Sequence, residues 1–338
     1  MFERNIYDQY GFHCDERWQL GSYEGFDAGG HSYLVTPYSR QEDSMLIQFE
    51  WAKQLHNAGV AEIAQPVNTV GGGSVAKIDG AQQLVFMLPQ LDERRAGEFL
   101  TEGGQLAHIH DVSHGWVPNV PDLNYLGQWL DIWERRMGQV ESWHQQVDAR
   151  RQKNDFDREF LYTFPYYLGR AETAMQWLVE EGREPLLQSY DGSINHTRFS
   201  NQSWFATNER TTQVKLPLEF VYDHPARDLG ERLRAEYREG RFEDGYSFIS
   251  EYQNGRTLSQ GTWSLIGARL LLPLTYIETI ENHYMNEGTH AENRSADITN
   301  FERELAQEER YLRYTAQCLM EHLPSTTAGS WFTRRNFA

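Results

Sequence analysis

Ser189-Tyr190-Asp191-Gly192-Ser193-Ile194-Asn195-His196-Thr197-Arg198-Phe199 is the stretch on which the reading of this chain turns. It is polar and turns at Gly192. Before it, a helix is expected over roughly Tyr166 to Glu181, with Gly182 as its stop. After it comes a short strand-like run, Ser203 to Ala206, and a second extended run, Val214 to Val221. Tyr222 to Gly230 then reads as a loop turning into a helix. The stretch is therefore expected to be a loop between a helix and a strand.

Upstream, the chain is rich in short strands. Residues 1 to 20 read as helical and then extended, with Trp18 and Leu20 opening an alternating run. Tyr23–Phe26 and Ser32–Thr36 are two strands joined by Asp27-Ala28-Gly29-Gly30, a hairpin signal. A helix is expected over about Asp43 to Ala58, because Met45, Phe49, Ala52 and Leu55 share one face and Gly59 can stop it. Pro66–Val70, Ser74–Ile78 and Leu84–Leu88 follow, separated by Gly71-Gly72-Gly73 and Asp79-Gly80. The sum is a five-stranded antiparallel sheet with one helix.

Pro89 to Arg95 is polar and reads as a hinge, after which the pattern becomes helical. Phe99, Leu106, Ala107 and His110 mark one face. Asp122 is placed to cap a long helix to about Arg150, along which Trp129, Trp133, Met137, Val140 and Val147 recur at helical spacing. An apolar helix from Trp263 to Tyr284 is interrupted by Pro273. Thr299-x-x-Glu302 has the form of a capping box opening the last helix, and the tail from Pro324 is polar. The fold class is α+β with two lobes: residues 1–90, a small antiparallel sheet with one helix, and residues 91–338, larger and mostly helical, together one bilobal unit. Such a chain is expected to have a cleft between its lobes.

Composition excludes several functions. The net charge of −18 argues against nucleic acid as a partner, since phosphate contacts need clustered Lys and Arg. There is no apolar run of about 18 residues, so no membrane span is expected. Met1-Phe2-Glu3-Arg4-Asn5 lacks the order of a signal peptide, so cytosolic synthesis is expected. Cys14 and Cys318 have no metal-site spacing and read as two buried thiols. Only Lys53, Lys77, Lys153 and Lys215 are lysines; an acidic, Lys-poor, Arg-rich surface often accompanies a salty or alkaline habitat.

Local motifs carry little chemistry alone. Gly71-Gly72-Gly73 is not a phosphate-binding loop, because no Gly-Lys-Ser/Thr follows. His110 and His114 are four apart, yet no third ligand is placed with them, so a packed or hydrogen-bonded histidine is the simpler reading. Trp129, Trp133 and Trp143 could stack a ligand, but at helical spacing they read as packing.

Four landmarks in order carry a resemblance across nearly the whole chain. Phe49-Glu50-Trp51-Ala52 lies on the first long helix, and Gln105-Leu106-Ala107-His108-Ile109-His110 resembles a Leu-Ala-x-x-His helix end. Asp191 to Arg198 fills a frame that reads His-Gly-Asp-x-x-x-x-Asn in kinases of the aminoglycoside-phosphotransferase kind. Asp223-His224-Pro225-Ala226-Arg227-Asp228-Leu229-Gly230 resembles their segment ending in Asp-Leu-Gly or Asp-Leu-Ala. Together with Ala268 to Pro273, these resemble the spore coat branch of the aminoglycoside-phosphotransferase (choline-kinase-like) fold, the YutH group related to the CotS coat proteins. The resemblance implies a protein-kinase-like two-lobe fold, synthesis in the mother cell, a final place in the spore coat, and other coat proteins as partners.

The chemistry of that family does not carry over. Phosphoryl transfer needs a Lys on the phosphates, a base Asp, and an Asp and an Asn on magnesium. The strand His31 to Pro37 has no Lys, Ser193 stands at the base position, Arg198 at the Asn position, and Leu216 at the magnesium-Asp position. The expectation is a pseudokinase with a structural or assembly role and no cofactor. The alternative is an active small-molecule kinase with displaced groups, Asp191 and Glu219, using ATP and magnesium.

Overall fold

The computed structural model describes residues 1–38, 41–89, 101–181, 191–199, 204–206, 213–285 and 294–323. The hinge read at Pro89 to Arg95 lies outside them from Gln90 onward, as do Ser189, Tyr190 and the tail from Pro324. The chain forms two compact units: Met1–Asn124 with Gly192–Asp223 and Ser250–Arg256, and Tyr125–Asp191 with His224–Ile249 and Thr257–Ala338.

The first unit is built on a sheet of six strands rather than five. They are β1 (Glu16–Leu20), β2 (Tyr23–Ala28), β3 (His31–Pro37), β4 (Gln65–Val67), β5 (Val75–Ile78) and β6 (Ala81–Met87). The order is β1-β2-β3-β6-β4, with β5 also on β6, and every pairing is antiparallel. β1 is the added strand: its charged and half-exposed side chains hide its alternation, and it is held by pairing Glu16–Leu20 against Tyr23–Asp27. The hairpin turns fall where glycine placed them, with Gly29 and Gly30 at φ of 58° and 79° and Asp79-Gly80 at 47° and 91°.

Strand alternation sends residues to two cores. Tyr33, Val35 and Val85 meet α1 (Phe2–Tyr10) through Phe2, Ile6 and Tyr10. Leu34, Leu84 and Phe86 meet α2 (Glu42–Asn57) through Met45 and Phe49. The sheet is thus covered on both faces. The unit also holds α3 (Glu102–Val112), capped by Thr101, whose Oγ1 accepts from the Gly104 N–H.

Ser193–His196 forms β7, and three more short strands follow: β8 (Trp204–Ala206), β9 (Gln213–Lys215) and β10 (Phe220–Asp223). β7 pairs with β10 and β8 with β9, both antiparallel. The second extended run is therefore broken, because Pro217–Glu219 makes a 3-10 turn between β9 and β10.

The second unit is helical: α4 (Trp129–Asp148), α5 (Asp155–Glu181), α6 (Ala226–Glu239), α8 (Gln260–Leu271), α9 (Leu274–Met285) and α10 (Arg294–His322), with α7 (Phe242–Gly255) lying between α6 and α8 in the chain. Three boundaries differ from expectation. Gly127 at φ 77° keeps α4 from starting at Asp122, which sits in a 3-10 turn instead. α5 starts eleven residues before Tyr166 and runs through Pro165. Asn154 starts it: its Oδ1 accepts from the Asp157 N–H at 2.8 Å, and its own N–H donates to Asp157 Oδ2 at 3.1 Å. Thr299 lies inside α10, whose first residues contain neither Pro nor Gly to stop the helix earlier.

Pro273 ends α8 as expected, and its last carbonyls find buried side-chain donors. Arg170 donates to the Leu271 carbonyl at 3.0 Å, Arg234 to the Leu272 carbonyl at 2.9 Å, and the Tyr311 hydroxyl to the Leu270 carbonyl at 2.5 Å. Trp129 and Trp133 are 5% and 4% exposed and stack on each other at 5.9 Å, so they pack rather than present a surface. Cys318 is buried, whereas Cys14 is only half-buried.

Candidate functional site

The site is built where the β9–β10 segment meets α2 and the sheet in the first unit. Leu216, at 2% exposure, joins Leu34, Met45, Phe49, Leu84 and Phe86 in one aliphatic and aromatic cluster. Gln48 of α2 pins the turn after it: Nε2 donates to the Leu218 carbonyl at 2.9 Å and to the Phe220 carbonyl at 2.8 Å. Gln48 is the positioning residue that sequence reading missed. Its signal was its place three residues after Met45, on the helix face that turns inward. Glu50, by contrast, is exposed and accepts from Gln54 Nε2 at 2.9 Å.

A cavity of about 80 Å³ opens beside Leu216. Its walls are Met45, Pro37, Leu84, Leu216 and Leu218, with Tyr23, Thr36, Tyr38 and Glu219 as the polar members. Glu219 is the one side chain among them that is charged at neutral pH. Burial, and then the nearby Glu219 carboxylate, hold the Tyr23 phenol above its ordinary pKa. Glu219 is itself tied to the chain after β7: its carbonyl accepts from the Thr197 N–H at 2.7 Å, and its carboxylate accepts from the Thr197 hydroxyl.

Lys215 precedes Leu216 and turns the other way. Its side chain is 0% exposed, and Nζ donates to Gln105 Oε1 of α3 at 2.8 Å. Its backbone is fixed too, donating to the Glu62 carbonyl and accepting from the Ala64 N–H, both at 3.0 Å. Burial pushes its pKa down from 10.5 to about 7, against the opposing pull of Glu62 and Glu102.

The stretch Asp191 to Arg198 is not a loop throughout. Ser193–His196 is a strand with every residue buried, and Ser193 is 0% exposed. The expectation that the whole stretch is a loop is thereby corrected, because Ser193–His196 pairs with Phe220–Asp223. Asn195 Nδ2 donates to the Asp223 carbonyl at 2.8 Å, and the Ile194 N–H donates to Ser113 Oγ of the α3 end at 2.9 Å. Gly192 is required by crowding: a Cβ there would lie 2.6 Å from the Tyr222 ring. Arg198 is exposed. Asp191 is half-buried and belongs to the second unit, as does Asp228, buried in the first turn of α6.

His110 is a packed histidine: it is 0% exposed, with Nδ1 2.9 Å from the Tyr252 hydroxyl. Among the described residues no group of three or more His, Cys, Asp or Glu is placed to share a metal ion. Among them, too, no helix is long and apolar enough to cross a membrane.

A family model described as "Spore coat putative kinase YutH" matches residues 3–318. The endospore coat-associated protein YutH of Bacillus subtilis (strain 168) is 27% identical over 292 residues, covering 85% of this chain and 84% of that one. Among solved structures, an aminoglycoside phosphotransferase from Alicyclobacillus acidocaldarius superposes with a TM-score of 0.72 at 14% identity, over 95% of this chain and 96% of that one. A spectinomycin phosphotransferase bound to ADP and spectinomycin superposes with a TM-score of 0.62 at 13% identity, over 94% and 97%. These likenesses show a kinase-like fold with an antiparallel-sheet N-lobe and a mostly helical C-lobe.

Proposed function

The chain belongs to the spore coat YutH family, and from that premise we propose that it is a coat-associated pseudokinase with a structural or assembly role. The observation that carries the reading is Leu216, buried at 2% exposure in an aliphatic cluster at the position where a kinase of this fold holds magnesium. Magnesium takes oxygen ligands, and leucine offers none. The residues present do not fit magnesium–ATP. Among the described residues, a polyphosphate in the adjoining cavity would meet one carboxylate, Glu219, and no Lys or Arg.

The missing base supports the same reading in either register. In the frame begun at Asp191 the base position is Ser193, inside a buried strand. In a frame begun at His196 the Asp position falls on Arg198 and the Asn position on Ser203. The alternative, an active kinase with the displaced groups Asp191 and Glu219, keeps Glu219 at the cavity. Two carboxylates supply no phosphate-binding cation.

The coat is the proposed destination, as the name of the Bacillus subtilis relative suggests, and other coat proteins are the proposed partners. The test has two arms. Phosphorus NMR of the purified chain with magnesium–ATP and small amino alcohols is expected to show no ADP above background. A fluorescent fusion expressed in a sporulating host is expected to enter the coat fraction. ADP formation lost on mutating the cavity, or a fusion left in the mother-cell cytosol, would overturn the proposal.

A further inference from the structure

The outer face of α5 carries aromatic residues in water. Arg158, Tyr162, Pro165, Tyr166, Gly169 and Glu172 recur three and four residues apart, so they fall on one stripe of the helix. All six are exposed, while Phe160, Phe164, Tyr167 and Ala171 of the same helix are buried. Tyr162 stands at 83% exposure. Gly169 lies in the helix interior with nothing within 4 Å of an added Cβ. Glycine weakens a helix there, and no neighbour among the described residues requires the missing side chain. Tyr162 and Gly169 are thus a knob and a notch on one face. Arg158 and Glu172 flank them, opposite in charge and each seven residues from Pro165.

We propose that this face of α5 docks antiparallel on α5 of a second copy of the chain, about a two-fold axis at Pro165. Such an axis sets residues equally far before and after Pro165 opposite each other. It brings Tyr162 of each copy to the notch at Gly169 of the other, and Arg158 of each to Glu172 of the other. The stripe is self-complementary in shape and charge, which selects a second copy over a different protein. The pair that Arg158 makes with Asp155 on its own helix, at 2.9 Å, is exposed on both sides and holds it weakly. One helix pair buries less than the ~1,200 Å² of a standard interface, and two chains of net charge −18 repel, so the dimer is weak and dissociates in the micromolar range.

Sedimentation velocity of the full chain from about 1 to 200 µM is expected to show a concentration-dependent shift from monomer to dimer. Arg158→Glu and Glu172→Arg each set like charges opposite one another twice, and each alone is expected to weaken the dimer by about tenfold. An equimolar mixture of the two variants regains both opposite-charge pairs and is expected to dimerise like the unaltered chain. Gly169→Leu fills the notch: the dimer is expected to be lost while the denaturant midpoint holds or rises. All three positions are exposed, and unchanged circular dichroism verifies that the variants fold. A chain that stays monomeric throughout, a dimer indifferent to Arg158→Glu or Gly169→Leu, or a variant mixture that stays monomeric would overturn the proposal. The outcome is independent of the nucleotide test, because α5 belongs to the second unit and the cavity beside Leu216 to the first.

Discussion

Lys215 Nζ donates to Gln105 Oε1 at 2.8 Å with the lysine side chain wholly buried. A neutral amide is a weak counterpart for an ammonium, and burial pushes the lysine pKa down to about 7. The unfolded chain carries the ordinary value of about 10.4 and so binds more protons than the folded one between those limits. Stability is therefore expected to rise with pH from about 7 toward 10, by up to about 1.4 kcal/mol per pH unit from this group. Urea midpoints at successive pH values would show the slope. Lys215→Met is expected to flatten it between pH 7 and 9; an unchanged slope would mean that the lysine stays charged.

Leu216→Asp places a carboxylate at the position that the resemblance to the kinases gives to a magnesium ligand. Here it would bury a carboxylate among Leu34, Phe49 and Phe86. The expected result is a loss of about 3 kcal/mol or more, with no gain of ATP turnover. Guanidinium melts and an ADP-release assay on the same preparation would check both parts.

Gly192→Ala tests the packing of β7 against β10. The new Cβ would sit 2.6 Å from the Tyr222 ring, which is 0% exposed and has no room to yield. A loss of about 1–3 kcal/mol is expected in denaturant melts. Gly138→Ala is the contrast, because it lies in α4 with nothing within 4 Å of its added Cβ. That change is expected to be neutral or to stabilise by up to about 1 kcal/mol.

Arg170→Ala tests the second unit. Arg170 is 2% exposed, pairs with Glu308 and holds the Leu271 carbonyl at the end of α8. Its removal leaves the buried Glu308 carboxylate to its longer ion pair with Arg238, at 3.5 Å, and frees a carbonyl, so a loss of about 3 kcal/mol is expected in thermal or denaturant melts. Adding Glu308→Gln is expected to recover none of that loss, since Arg238 then loses its carboxylate partner as well.

Much of the fold was legible because its signals are local. Gly29-Gly30 and Asp79-Gly80 placed the hairpins, and the Met45, Phe49, Ala52 face placed α2. Pro273 placed the break between α8 and α9. What stayed hidden depends on distant partners. β1 has polar side chains and exists through its pairing with β2. β7 looked like a loop because Ser193 and Asn195 are polar, yet Ser113 and the Asp223 carbonyl, far along the chain, satisfy that segment in the interior. The site was half legible: Leu216 and Glu219 were singled out by the resemblance to the kinases, from their place before Asp228. Gln48, Thr36 and Lys215 acquire their roles only through contacts that no spacing encodes.

The central claim is a kinase-like shell that has lost its nucleotide chemistry, and nucleotide binding tests it most directly. Thermal unfolding of the full chain is followed with and without magnesium–ATP. A ligand at about 100 times its dissociation constant adds about 2.7 kcal/mol of stability, a shift of some degrees. The account predicts a midpoint unchanged by magnesium–ATP. A magnesium-dependent rise of that size, lost when the cavity is filled by Leu218→Phe, would contradict it.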